Sequence, residues 1–128
     1  MMQEKHLYEY AVIRVVPLVE REEFVNAGII LFSKKAAYIR VMQQLKEARL
    51  VAICPETDIS QVRANLSAFE KIAYGSADGG PIAAMDLASR FRWLTAVRSS
   101  VIQTSRPHPG LCSDLDQTAE RLFSELVL

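Results

Sequence analysis

Arginine, aromatic and hydroxyl side chains crowd into one stretch of this sequence. Between residues 86 and 110, Arg90, Arg92, Arg98 and Arg106 stand against Asp86 alone, with His108 beside them. Phe91, Trp93, Ser99, Ser100 and Thr104 are interleaved with these arginines. Planar guanidinium groups make paired hydrogen bonds to carboxylates and phosphates, hydroxyls add donors, and an indole adds a flat apolar contact. That set suits an anionic ligand or an acidic segment of a partner protein. The competing reading is internal. In it, the acidic end of the chain, where Asp114, Asp116, Glu120 and Glu125 outnumber Arg121, neutralises the arginines while Arg90 lies over the Trp93 ring.

A second polar group interrupts apolar runs nearer the start. Asn26 and Gly28 break the hydrophobic stretch 24–32, and Arg14 shares a face with Tyr8, Tyr10 and Val12. A buried Asn without partners costs about 1–3 kcal/mol, and a glycine inside a strand marks a bulge or a close backbone approach. Either Arg14 pairs internally with Glu23 or Asn26, or the cluster faces a ligand. Both readings require a specific partner for Arg14. The candidate binding residues are therefore Arg90, Arg92, Trp93, Arg98, Ser99, Ser100, Arg14 and Asn26.

Other chemistry finds little to build on. His6 and His108 are the only histidines, and neither has the spacing of a metal ligand set. Cys112 follows His108 by four residues, but Pro109 and Gly110 between them leave no readable nucleophile–base geometry. The loop 75–81 is glycine-rich and lacks the Lys-Ser/Thr that closes a phosphate loop, so it reads as a helix stop and turn. Glu22-Glu23 and Asp114/Asp116 read as connector and helix-start charge. No catalytic residue, metal site or cofactor is assigned.

The elements that position these residues follow from periodicity. Leu7–Val16 and Phe24–Phe32 are rich in β-branched and aromatic residues, and Ala37, Ile39 and Val41 alternate with Tyr38 and Arg40. Short connections make these three strands an antiparallel meander. The second is apolar throughout and is expected to be central and covered on both faces. Ile59, Val62, Leu66, Phe69 and Ile72 form a helical stripe behind an Asp58 N-cap, and Gly75 marks its end. A shorter helix carries Leu87, Phe91 and Leu94, and residues 101–104 read as a fourth strand. A last helix starts near Asp114 with Leu115, Ala119, Leu122 and Leu126 inward, while residues 45–53 fit a short helix or a strand. The fold class is α+β: an antiparallel sheet of about four strands with helices packed mainly on one face.

The chain has 128 residues, 50% of them hydrophobic and 23% charged, and its fifteen basic and fifteen acidic residues cancel. One domain of ordinary composition is the expectation, spanning 1–128. Zero net charge counts against general attraction to nucleic acid or an anionic membrane. No window reaches the ~20 apolar residues of a membrane span. The polar N-terminus lacks the pattern of a signal peptide, and Cys54 and Cys112 read as reduced thiols, so the expected location is the cytoplasm.

Tyr8–Pro17 (YEYAVIRVVP), Glu23–Phe32 (EFVNAGIILF), Arg90–Ala96 (RFRWLTA), Arg98–Gln103 (RSSVIQ) and Gly110-Leu111 together resemble DUF3037, a bacterial family of unknown function. The resemblance runs over essentially the whole chain. It departs at Val97, where the family usually shows proline. It implies no catalytic assignment. It does imply a small stand-alone protein of the kind often encoded beside a HipA-like kinase, and hence an accessory or antitoxin-like role. The expected function is a non-catalytic module that binds a protein partner, a HipA-like kinase being the one implied. The alternatives are a phosphate- or nucleic-acid-binding protein, or an enzyme acting on a phosphorylated or nucleotide-like substrate. A free sheet edge leaves room for a homodimer without requiring one.

Overall fold

A computed structural model describes residues 4–128. Met1–Gln3, part of the polar N-terminal stretch, lie outside the described residues. Strands β1 (His6–Val15), β2 (Val25–Ser33) and β3 (Tyr38–Gln43) form the antiparallel meander that the short connections require. Helices α1 (Glu47–Ile53), α2 (Ile59–Ala73) and α3 (Leu87–Leu94) follow, then β4 (Ile102–Thr104), β5 (His108–Cys112) and α4 (Leu115–Leu126).

The sheet has five strands. Both β4 and β5 pair antiparallel with the side of β1 that β2 leaves free, β4 against Ile13–Val15 and β5 against His6–Tyr10. They act as one interrupted strand. At the interruption Ser105 continues the ladder: its N–H donates to Val12 O at 2.9 Å, and its Oγ accepts from Val12 N–H at 2.9 Å. The fifth strand is hidden in the sequence because Pro109 and Gly110 sit inside it. Pro109 is tolerated there because β5 lies at the sheet edge, where a missing N–H breaks no ladder and blunts edge pairing. On the opposite edge, the Tyr74 hydroxyl accepts from Val41 N–H at 2.8 Å and donates to Val41 O at 3.3 Å, capping β3.

Helices cover both faces unequally. Three of them, α1–α3, bury Leu50, Val62, Leu66, Phe69, Phe91 and Leu94 against Ala11, Ile13, Val15, Ile30 and Phe32. Phe91 stacks on Phe32 with ring centroids 4.7 Å apart. The fourth helix packs Leu115, Ala119 and Leu122 against Tyr8, Ile29 and Leu31 on the other face. The central strand β2 is thus sealed on both sides, which explains its unbroken apolar run.

A bulge sets the phase of β2. Ile13 pairs with Gly28, but Arg14 pairs with Asn26, so Ala27 is the extra residue. Val25 and Ala27 consequently point to the same face as Ile30 and Phe32, a step of three where a regular strand steps by two. A Cβ on Gly28 would lie 2.4 Å from Met42 O, so only glycine admits β3 at this distance. The helices end as their sequences direct. Asp58, Asp86 and Asp114 each accept from the backbone N–H three residues on, capping α2, α3 and α4. Gly75, at φ +64°, closes α2 with Gly75 N–H to Ile72 O and Ser76 N–H to Lys71 O, a Schellman stop.

Candidate functional site

The segment 90–100 comprises the end of α3 and the linker to β4, and its arginines have separate fates. Arg90 is structural: Nε donates to Ala73 O at 3.3 Å and Nη1 to Met85 O at 2.7 Å. It ties the end of α2 to the loop before α3, and it does not lie over Trp93. Arg92 forms a two-pronged ion pair with Glu9 of β1, at 2.8 Å and 2.5 Å. The hydrogen bonds from Arg92 hold the Glu9 carboxyl below the usual carboxylate range and raise the guanidinium in turn. Arg98 is the residue that covers the indole, its guanidinium 4.0 Å from the Trp93 ring centroid, with Nη2 donating to Trp93 O.

The expected neutralisation by the acidic last helix is overturned. That helix lies on the other face of the sheet, and its Asp116 and Glu120 face Arg40 of β3 at 3.2 Å and 3.7 Å. The Tyr38 hydroxyl also donates to Asp116, at 2.6 Å. Burial, with that hydrogen bond second, raises the Tyr38 phenol above the usual tyrosine range.

What remains accessible is Trp93 with its arginine cover. Trp93 is 38% exposed and Val97 fully so. Beside them a groove of about 320 Å3 opens between α2 and the linker, lined by Asn65, Phe69, Ile72, Trp93, Arg98 and Ser100. Its floor is apolar and its rim carries a cation, an amide and a hydroxyl. Ser100 is engaged locally, Oγ donating to Ile102 O at 2.6 Å, whereas Ser99 is exposed. Arg106 takes part in none of the ion pairs among the described residues.

Arg14 and Asn26 belong to a different place. They are cross-strand partners on the α4 face, away from Arg90, Arg92 and Arg98. Arg14 does have a partner, but not an expected one: its guanidinium lies 4.2 Å from the Phe24 ring centroid. Glu23 pairs with Arg21 instead. Asn26 Nδ2 donates to Leu126 O at 3.1 Å, tying β2 to the end of α4. Arg14 Nε and Asn26 Oδ1 are both buried without a hydrogen-bond partner. Nothing in the sequence spacing could show that the aromatic at 24, just before the strand, folds back over residue 14.

The weaker chemical candidates resolve similarly. His108 and Cys112 lie on one extended strand, about 13 Å apart at the usual rise, and His108 packs on Tyr10 with centroids 5.2 Å apart. Both cysteines are free thiols. Among the described residues no group of three or more His, Cys, Asp or Glu side chains gathers as a metal set, and no helix is long and apolar enough to cross a membrane.

Neither the curated proteins nor the solved structures contain a match to the chain. A family model described as a protein of unknown function, DUF3037, matches residues 10–127, which takes in every strand and helix above except the first residues of β1, and the chain belongs to that family.

Proposed function

We propose that this protein is a non-catalytic binding module that recognises a protein partner through the Trp93–Arg98 face. The observation that carries the reading is an exposed indole covered by a guanidinium beside an apolar groove. Tryptophan and arginine dominate the binding energy of many protein interfaces, tryptophan because it covers large area with little conformational freedom to lose and arginine because its planar guanidinium stacks and donates several hydrogen bonds at once. Trp93 is half-fixed before any partner arrives, which lowers the ordering cost of association. The resemblance of the sequence makes a HipA-like kinase the partner to try first, in a cytoplasmic setting consistent with two free thiols.

The test is co-expression with a HipA-like kinase and measurement of binding by the wild type, Trp93→Ala and Arg98→Glu. Trp93→Ala is expected to weaken binding by roughly 30-fold or more, the effect of losing about 2 kcal/mol at an interface centre. Full binding by both variants would refute this surface. Of the four arginines in this segment, the phosphate or nucleic-acid reading keeps only Arg106 unengaged among the described residues, since Arg90, Arg92 and Arg98 are held internally. It requires affinity that falls steeply with salt. The enzyme reading needed one pocket joining these arginines to Arg14 and Asn26, and the sheet lies between them.

A further inference from the structure

A larger groove lies elsewhere, at the end of the sheet where β1 begins. About 680 Å3 is enclosed by Leu7, Phe32 and Leu111 on the sheet, Ala88 and Arg92 on α3, and the β2–β3 turn with Lys34 and Lys35. Leu7 and Leu111 are cross-strand partners on the face that α1–α3 cover further along, yet they are 63% and 67% exposed. The helical layer stops short of them. Two large aliphatic side chains standing side by side in water on a sheet face are a docking signal, not a scattered exposure.

The rim is charged with one sign. Lys5, Lys34, Lys35 and Arg92 surround the groove against Glu9 alone, and Glu9 is already paired with Arg92. None of the three lysines takes part in the ion pairs of the described residues. An apolar floor inside a cationic rim is complementary to an apolar stripe flanked by carboxylates. A second copy of this chain does not fit a two-fold contact here, because it would set these cations against themselves. A planar lipid surface would touch the two exposed leucines but leave the concavity behind them unfilled. An added strand is disfavoured on the β5 edge, where Pro109 offers no N–H.

The geometry points to an acidic amphipathic helix of a partner protein, laid across Leu7 and Leu111 beside α3 so that it continues the helical layer. Two helices on one sheet face pack about 8–10 Å apart, which places the new apolar stripe over the two leucines and its acidic flanks against Lys34, Lys35 and Lys5. This surface is independent of the Trp93 face: either can fail while the other stands.

Selection from a displayed library of random peptides of about 18 residues, five helical turns, tests it without a known partner. Enriched peptides are expected to carry apolar residues at helical spacing flanked by Asp and Glu. A synthetic peptide of the enriched sequence is expected to bind the wild type and Trp93→Ala alike. It should lose roughly tenfold or more on Leu7→Ser with Leu111→Ser, and again on Lys34→Glu with Lys35→Glu. Replacing the peptide's acids by lysine should restore binding to the lysine-reversed protein. All four positions are exposed, so the variants are expected to keep the wild-type circular dichroism spectrum, which is recorded alongside binding. No enrichment, enrichment of non-acidic peptides, or binding indifferent to these substitutions overturns the proposal. So does a self-dimer, or sedimentation with phosphatidylserine vesicles, that the same substitutions abolish, because the groove then belongs to another occupant.

Discussion

Replacing Gly28 by alanine tests the bulge that fixes the phase of β2. By conformational preference alone, alanine in a strand should stabilise the chain by about 0.5–1 kcal/mol. The geometry says the reverse. The new Cβ would meet Met42 O at 2.4 Å, with Gln43 Cα at 3.3 Å. A carbon–oxygen contact needs about 3.3 Å, so β3 must retreat by about 0.9 Å and strain its ladder to β2. Overpacking of this kind costs about 1–3 kcal/mol and a weakened backbone hydrogen bond about 1 more, giving about 2–4 kcal/mol. With an unfolding entropy of about 0.27 kcal/mol/K for a chain of this length, Tm should fall by about 7–15 °C. Urea unfolding followed by Trp93 fluorescence and thermal unfolding by circular dichroism both measure it. Gly80→Ala is the control: φ there is +84° with open space around it, so only left-handed strain of about 1–2 kcal/mol applies. Gly28→Ala that is neutral, stabilising or milder than the control would refute the close approach of β3.

Three further perturbations read other joints of the fold. Ser105→Ala strands the buried Val12 N–H at the break between β4 and β5 and should cost about 1–3 kcal/mol in urea unfolding, with Ser105→Thr milder. Tyr38 has its ionisation raised in the fold. Its contribution to stability is therefore complete below the free-tyrosine value near pH ~10 and is lost as pH rises beyond it. Ultraviolet titration should show one of the four tyrosines ionising late, and Tyr38→Phe should remove that phase. The Glu9 carboxyl is lowered by Arg92, so its contribution is present above about pH 4.3 and disappears as pH falls through the folded value. Glu9→Gln should flatten that part of the acid limb by less than about 1 kcal/mol, because Arg92 is more than half exposed and solvent screens the pair.

The same Glu9–Arg92 pair decides how charge reversal should be read in binding experiments. Arg92→Glu sets two carboxylates against each other across α3 and β1 and also alters the groove beyond, so a loss of binding would not locate the contact. Arg98→Glu touches only the indole cover and the linker, which makes it the cleaner probe of the Trp93 face.

Local chemistry determined much on its own. The Asp58 cap, the helix start at Asp114, the glycine stop after α2, the meander of the first three strands and the doubly covered second strand all follow from neighbours within a few residues, where propensity and periodicity act. Gly28 was legible as a bulge or a close backbone approach for the same reason; the bulge falls at Ala27 beside it and the close approach at Gly28 itself. The segment holding Trp93 and its arginines was visible as a cluster of residue types. Which carboxylate or ring each arginine meets was not: Arg92 reaches Glu9, 83 residues away, Arg40 reaches Asp116, 76 away, and Arg14 turns to Phe24. The basic-rimmed groove was equally hidden, because Leu7, Lys34, Lys35, Arg92 and Leu111 come from four separate elements or turns. Ion pairs and grooves between distant segments depend on sheet order and on which face each helix takes. Those are settled by burying one shared core, a property of the whole chain that no window of sequence contains.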